Sequence, residues 1–355
     1  MIDNRNMILA VVLSIAILIG FEMFFAKTRP APPIDNDTQS GNASSQKIPN
    51  TTTNNSGPQT PEKLDVKPSP SAANLPRIST INDIKPRLKI LEQVPRIEIN
   101  TSSLHGTISL LGGRIDDLTL ANYRETLDPN SDEILLLIPK GDPKAYYAEF
   151  GWVSSLNKSL PGPNTLWKTD RKILTSEEPV TLTWTNEDGL KFTRIFSVDD
   201  KYMFTVKQIV TNNSKKSEII YPYGLISRRT TPEISGFYII HEGLMGVADS
   251  TLKEIDYSEL QEKGQIKGTT TGGWLGITDK YWMTALIPDQ KNEIKTRYYH
   301  RKENGDDIYQ VDYLSEALTV KMKFLRASLT KSSLFMLHFN PRIKPLPLMP
   351  SIISG

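Results

Sequence analysis

Cysteine is absent from the 355 residues. That absence excludes disulfide staples, thiolate zinc sites, iron–sulfur clusters and cysteine nucleophiles together. It leaves the compartment open, because an oxidising space permits disulfides without requiring them. Histidine is scarce. The four histidines, His105, His241, His300 and His338, lie far apart with no HxH or HExxH spacing, so no metal site is expected. Neither sign of charge dominates: 42 Lys plus Arg stand against 40 Asp plus Glu, a formal +2. Such a balance carries no electrostatic footprint for nucleic acid.

Catalytic signatures are equally thin. There is no GxSxG elbow for a serine hydrolase. The glycine-rich stretch 268–276, GTTTGGWLG, lacks the Lys-Ser/Thr of a phosphate-binding loop and reads as an exposed loop entering a strand. Adjacent carboxylates occur at Asp116 and Asp117, Asp199 and Asp200, and Asp306 and Asp307. Strand neighbours face opposite sides, so these pairs are read as turn or solvent-face residues rather than as convergent acid and base. Trp274, Tyr281 and Trp282 are read as core aromatics rather than as a ligand platform. No catalytic, cofactor-binding or metal-binding residue is assigned.

What the sequence does contain is ordered along the chain. Residues 7–26, MILAVVLSIAILIGFEMFFA, carry Glu22 as their one charge. At about 1.5 Å per residue they span a hydrocarbon core of about 30 Å. Phe24, Phe25 and Ala26 precede Lys27 without a small-x-small pattern, which favours an uncleaved transmembrane anchor (1–27) over a cleaved signal peptide or a soluble helix. Arg5 lies on one side, and Lys27 and Arg29 on the other, so charge leaves the orientation open. Residues 28–77 are dominated by Pro, Ser, Thr and Asn and read as a disordered tether, since they cannot bury enough apolar area to offset ordering entropy.

From residue 78 the pattern becomes short alternating runs. Val180, Leu182 and Trp184 face one way, and Thr181, Thr183 and Thr185 the other. Asn186 to Gly189 turn the chain; Leu190, Phe192 and Ile195 or Phe196 continue a return strand; a third follows from Tyr202 to Val210. Gly112 and Gly113 tolerate the positive φ of a hairpin turn between 107–111 and 114–120. Further strands are expected at 146–150, 219–223, 237–241, 294–299, 309–313 and 318–325, and 252–262 is a short helix or a loop. The expected fold is mainly β, one large two-sheet sandwich over 78–329.

The layout and three sets of residues resemble the bacterial YidC membrane protein insertase family. These are Asp3, Arg5 and Asn6 before the anchor, Gly112, Gly113 and Arg114 in the hairpin, and residues 273–288, GWLGITDKYWMTALIP. The last run is similar to the family's G-W-x-G-x-x-D-x-Y-x-x-x-x-x-I-P segment. The resemblance implies a mutarotase-like β-supersandwich in the periplasm, a cytoplasmic N-terminus and an inner-membrane location. It implies no enzymatic bond making and no cofactor. Its partners would be nascent membrane proteins and the Sec translocon, with no nucleic acid. Family members continue into further membrane helices with a hydrophilic groove. Here residues 330–355 carry Pro341, Pro345, Pro347 and Pro350, which oppose a spanning helix. The expectation is therefore an atypical tail, frameshifted or disordered, after Leu329, leaving a fragment inactive alone. Sequencing the locus checks it: unrelated DNA downstream would refute a frameshift. Two alternatives stay open. One is a sugar-binding or mutarotase-like protein, for which His241 and Glu242 are the one adjacent His–carboxylate pair tested. The other is a tethered lectin or adhesin.

Overall fold

The computed structural model describes residues 85–338 apart from 155–158, 234–240 and 322–327. The expected anchor, the tether and residues 339–355 lie outside the described residues, as does nearly all of the expected strand 237–241. No helix among the described residues is long and apolar enough to cross a membrane.

Helix α1 (Arg87–Leu91) leads into β1 (Arg96–Asn100), β2 (Leu104–Ser109), β3 (Arg114–Arg124), β4 (Glu133–Leu137), β5 (Tyr146–Val153), β6 (Lys168–Thr169) and β7 (Ile173–Leu174). The expected meander follows as β8 (Val180–Thr185), β9 (Leu190–Val198) and β10 (Met203–Asn212). Then come β11 (Glu218–Arg229), β12 (Gly243–Ala248), β13 (Thr251–Ile255), helix α2 (Tyr257–Lys263), β14 (Gln265–Thr271), β15 (Trp274–Thr278) and β16 (Trp282–Ile287). The described chain closes with β17 (Glu293–Glu303), β18 (Asp306–Ser315), β19 (Leu318–Val320) and β20 (Ser328–His338).

These strands form two large sheets. One has eleven strands in the order β14-β17-β18-β11-β5-β3-β2-β1-β7, with β19 also on β11 and β4 also on β3. The other has nine, in the order β13-β12-β15-β16-β20-β10-β9-β8-β6. The mainly β, two-sheet expectation holds. Alternation supplies the core: Leu190, Phe192, Phe196 and Val198 of β9 and Phe204, Val206 and Val210 of β10 are all buried. They form one cluster with Ala148, Phe150 and Trp152 of β5 and Ile226 of β11. In β9 the inward row therefore continues through Phe196 rather than Ile195.

Three readings change. Residues 268–271 are not loop but the end of edge strand β14, and 274–276 begin β15; only Gly272 and Gly273, both at positive φ, form the turn between them. Its Thr run has β-branched side chains suited to a strand. Residues 252–262 divide between strand β13 and helix α2. The sandwich also runs past Leu329: β20 pairs with β10 on one side and β16 on the other. Leu334 lies opposite Phe204 and Leu286, and all three are fully buried. The residues expected to open an atypical tail thus fill the middle of the smaller sheet.

Candidate functional site

Many charged and polar groups are buried in this sandwich, and three clusters hold several of them. The first lies on β1, β2 and β3. The register places Ile115 opposite Ile108 and Asp117 opposite Thr107, so Asp116 is an extra residue, a β-bulge. The bulge breaks the alternation that was expected to separate Asp116 from Asp117. Both are buried. Arg96 bonds the Asp116 carboxylate with Nη2 and donates Nε to Thr107 Oγ1 at 2.6 Å; Thr107 in turn donates to Asp117 Oδ2 at 2.8 Å. Arg87 of α1 closes on Asp117 at 2.7 Å. The adjacent carboxylates are therefore joined through Arg96 and Thr107 and flanked by arginines, not displayed to solvent. Arg114 lies 3.9 Å from Asp116 and 3.6 Å from Glu149, whose Oε1 accepts the Tyr223 hydroxyl at 2.8 Å. Burial raises the Asp116 carboxyl above its ordinary value by more than Arg96 and Arg114 lower it. Burial, then Arg114, brings nearby Lys140 down to about 8.

The second cluster pins the two sheets through the core. Arg194 occupies the inward row of β9 between Phe192 and Phe196 and is 1% exposed, and its hydrogen bonds run to backbone carbonyls rather than to a carboxylate. It donates to the carbonyls of Gly113 at 2.7 Å, Gly112 at 3.2 Å and Phe150. Its guanidinium carbon sits 4.7 Å from the Trp167 ring centroid and 5.6 Å from that of Trp152. Beside it in register, Gln208 donates to the Gly151 carbonyl at 2.9 Å. The physical reason lies across the core: β3 and β5 pair at Ile115 and Ala148 alone, so the carbonyls where that seam opens need donors from elsewhere. Burial lowers Arg194 to about 10, which leaves it a cation at neutral pH. Gly112 and Gly113 have φ of +80° and +63°, and a Cβ on Gly113 would overlap Arg194 Nη1. The paired glycine is thus demanded by both backbone and neighbour.

The third cluster is the hairpin of residues 273–288. Gly273 has φ +90°, and its missing Cβ makes room for the Val247 carbonyl; Gly276 does the same for Thr284. Gln290 holds Gly273 twice, accepting from its N–H at 2.9 Å and donating to its carbonyl at 3.0 Å. Asp279, in the turn, accepts from Arg228 Nη1 of the opposite sheet at 2.5 Å. Arg228 also covers the Tyr146 ring at 4.9 Å, and Tyr146 donates to the Ile277 carbonyl at 3.3 Å. Tyr281 is exposed at the turn, while Trp282 is half-buried and meets the Tyr123 ring edge-on at 4.9 Å.

The remaining residues singled out from sequence are dispersed. His105 Nδ1 lies 3.0 Å from Glu133, and His300 Nε2 lies 2.8 Å from Asp307. His241 Nε2 bonds the Leu244 carbonyl at 3.0 Å and its Nδ1 lies 3.6 Å from Asp256, while neighbouring Glu242 is buried. Asp306 pairs with Arg229, and Asp199 caps its turn by accepting from the Lys201 and Met203 amides. No group of three or more His, Asp or Glu side chains among the described residues is placed to hold a metal. Sequence reasoning missed Arg194 and the bulge. For Arg194 a signal was present: strict alternation from Leu190 to Val198 obliges residue 194 to face inward.

The arrangement can orient backbone and neutralise buried charge, and its acids are held by arginines, threonine or tyrosine. It defines a two-sheet β domain whose buried ionic groups tie strands and sheets together. The chain belongs to the YidC periplasmic domain family, whose model matches residues 96–335. It is 41% identical over 328 residues to a membrane protein insertase YidC of Methylobacterium nodulans, covering 90% of this chain and 52% of that protein. A membrane protein insertase YidC of Bradyrhizobium diazoefficiens is 41% identical over 325 residues, with the same coverage of 90% and 52%. The chain thus spans about half the length of the curated relatives it matches. Among solved structures it is similar to a galactose mutarotase related enzyme from Lactobacillus acidophilus, at 8% identity and TM-score 0.49, over 69% of this chain and 97% of that one. The family match extends beyond Leu329, as β20 does.

Proposed function

We propose that this chain provides the periplasmic module of a membrane protein insertase in the bacterial inner membrane. It is tethered by residues 7–26 with the N-terminus in the cytoplasm. The observation that carries the reading is the family match across 96–335 together with relatives named as insertases. The module acts by binding and placement rather than by bond making. Its deepest charges serve as ties between strands and sheets, as the Arg194 and Arg228 contacts illustrate. Its partners are membrane proteins in the course of insertion and the Sec translocon. An insertase lowers the cost of moving polar segments into the bilayer, where each unsatisfied polar group costs several kcal/mol.

Two experiments test this. In a strain depleted of its own insertase, a relative carrying residues 85–338 of this chain in place of its own domain should restore growth and insertion of a reporter membrane protein. A correctly folded chimera that restores neither refutes the assignment. Topology is readable because the sequence lacks cysteine. A cysteine placed at fully exposed Leu127 should react with a membrane-impermeant maleimide from the periplasmic side of intact cells. Reaction only after lysis refutes the orientation.

A further inference from the structure

At one end of the sandwich, edge strand β14 of the eleven-stranded sheet comes beside the β12–β13 hairpin, which ends the other sheet. Asp249, in the β12–β13 turn, donates its N–H to Thr270 Oγ1 of β14 at 2.9 Å and fixes this meeting. Between them lies a shallow surface crevice lined by Ile266, Trp274, Ile294 and Tyr298, with Lys253 and Lys267 also in its lining. Gly268 lines it without a side chain, 3.0 Å in Cβ position from Thr296 Oγ1 and 4.0 Å from Lys253 Nζ. Lys253 and Lys267 are exposed, and neither forms an ion pair among the described residues.

Two features coincide here. Among the described residues the outer edge of β14 pairs with no strand, so alternate residues of a seven-residue segment turn N–H and C=O groups outward. Beside that edge lies an apolar crevice whose flanking cations lack acids. A strand added to β14 would point alternate side chains over the crevice and the others past Lys267. We infer that β14 is a strand-addition site for an extended acidic peptide segment of a partner protein. Backbone pairing supplies the hold, alternate apolar residues cover the crevice, and the intervening carboxylates meet Lys267, while Lys253, exposed on the crevice side, adds to the positive field. This goes beyond the insertase reading and stands without it, since it concerns an edge and its chemistry rather than the process served.

The test uses the purified full chain and a fluorescein-labelled heptapeptide, Thr-Val-Glu-Leu-Glu-Val-Thr, followed by anisotropy. Saturable binding is expected. It should weaken at least about tenfold when the two glutamates become lysines, and as much when alternate peptide amides are N-methylated, which blocks pairing without altering the protein. The K253E/K267E chain should reverse the preference and take the lysine peptide. Equal binding of the N-methylated peptide, or no binding of any peptide, overturns the proposal. So does concentration-dependent self-association of the chain that K267E abolishes, because the edge would then serve a second copy. Failure of domain exchange in the insertase assay would leave these outcomes unchanged.

Discussion

Arg228 Nη1 donates to Asp279 Oδ1 at 2.5 Å, and that bond ties β11 of one sheet to the β15–β16 turn of the other. Asp279 accounts for the aspartate of the sixteen-residue run: it is the acceptor that lets an arginine leave the larger sheet. Asp279→Ala should lower stability by about 2 kcal/mol, the scale of a lost charged hydrogen bond, and Asp279→Asn by less. Urea unfolding of the full chain checks this, and a loss below about 0.5 kcal/mol would contradict it.

Arg194 offers a steeper test. Arg194→Lys keeps the charge but not the fork, and carbonyls of Gly112, Gly113 and Phe150 lose donors at about 1–3 kcal/mol each. A total loss of at least about 3 kcal/mol is expected. Gly113→Ala should cost about 1–3 kcal/mol from its φ alone, and more from the overlap with Arg194. Differential unfolding curves report both, and a neutral Arg194→Lys would show that the carbonyls find other donors.

Lys140 predicts a pH dependence. Burial brings it from 10.5 to about 8. Between pH 8 and 10.5 the unfolded chain retains a proton that the folded chain has released. Stability contributed by this group therefore rises with pH through that window and is flat below it. Against Lys140→Met the natural chain should gain stability from pH 8 upward. Parallel curves for the two proteins across the window would remove Lys140 as the source.

For β20, Leu334→Ala should cost about 2–5 kcal/mol as a buried leucine truncation. A chain stopped after Leu329 should lose cooperative unfolding altogether, because β10 and β16 would each lack a neighbour. A single sharp transition in that shortened chain would show that β20 is dispensable.

Much of this architecture was legible where one physical signal acted alone. The meander announced itself through the alternation of Leu190, Phe192, Phe204 and Val206, and Gly112 and Gly113 marked a turn that no other residue pair fits as well. Legibility failed where two signals collided. Asp116 is an inserted residue, so period-two reasoning assigned the wrong face to its neighbour; no local sequence mark distinguishes a bulge from a regular strand. Arg194 was hidden because a cation in a core row reads as an interruption, and its compensation lies in carbonyls eighty residues earlier along the chain. β20 was obscured by Ser332 and Ser333. Ser332 faces inward because its Oγ meets the Tyr313 hydroxyl at 2.5 Å across the core. The clusters followed the same rule: each residue type was visible, but the pairing that assigns its role depended on long-range register.

The strand at the centre of the smaller sheet is also the last translated of the described strands. As the polypeptide leaves the ribosome, β10 and β16 have both emerged while the lane between them stands vacant, each presenting a long unpaired backbone edge. Closure of this sheet is therefore gated by arrival of β20, and the interval before it arrives is when a foreign strand competes most effectively for the vacancy.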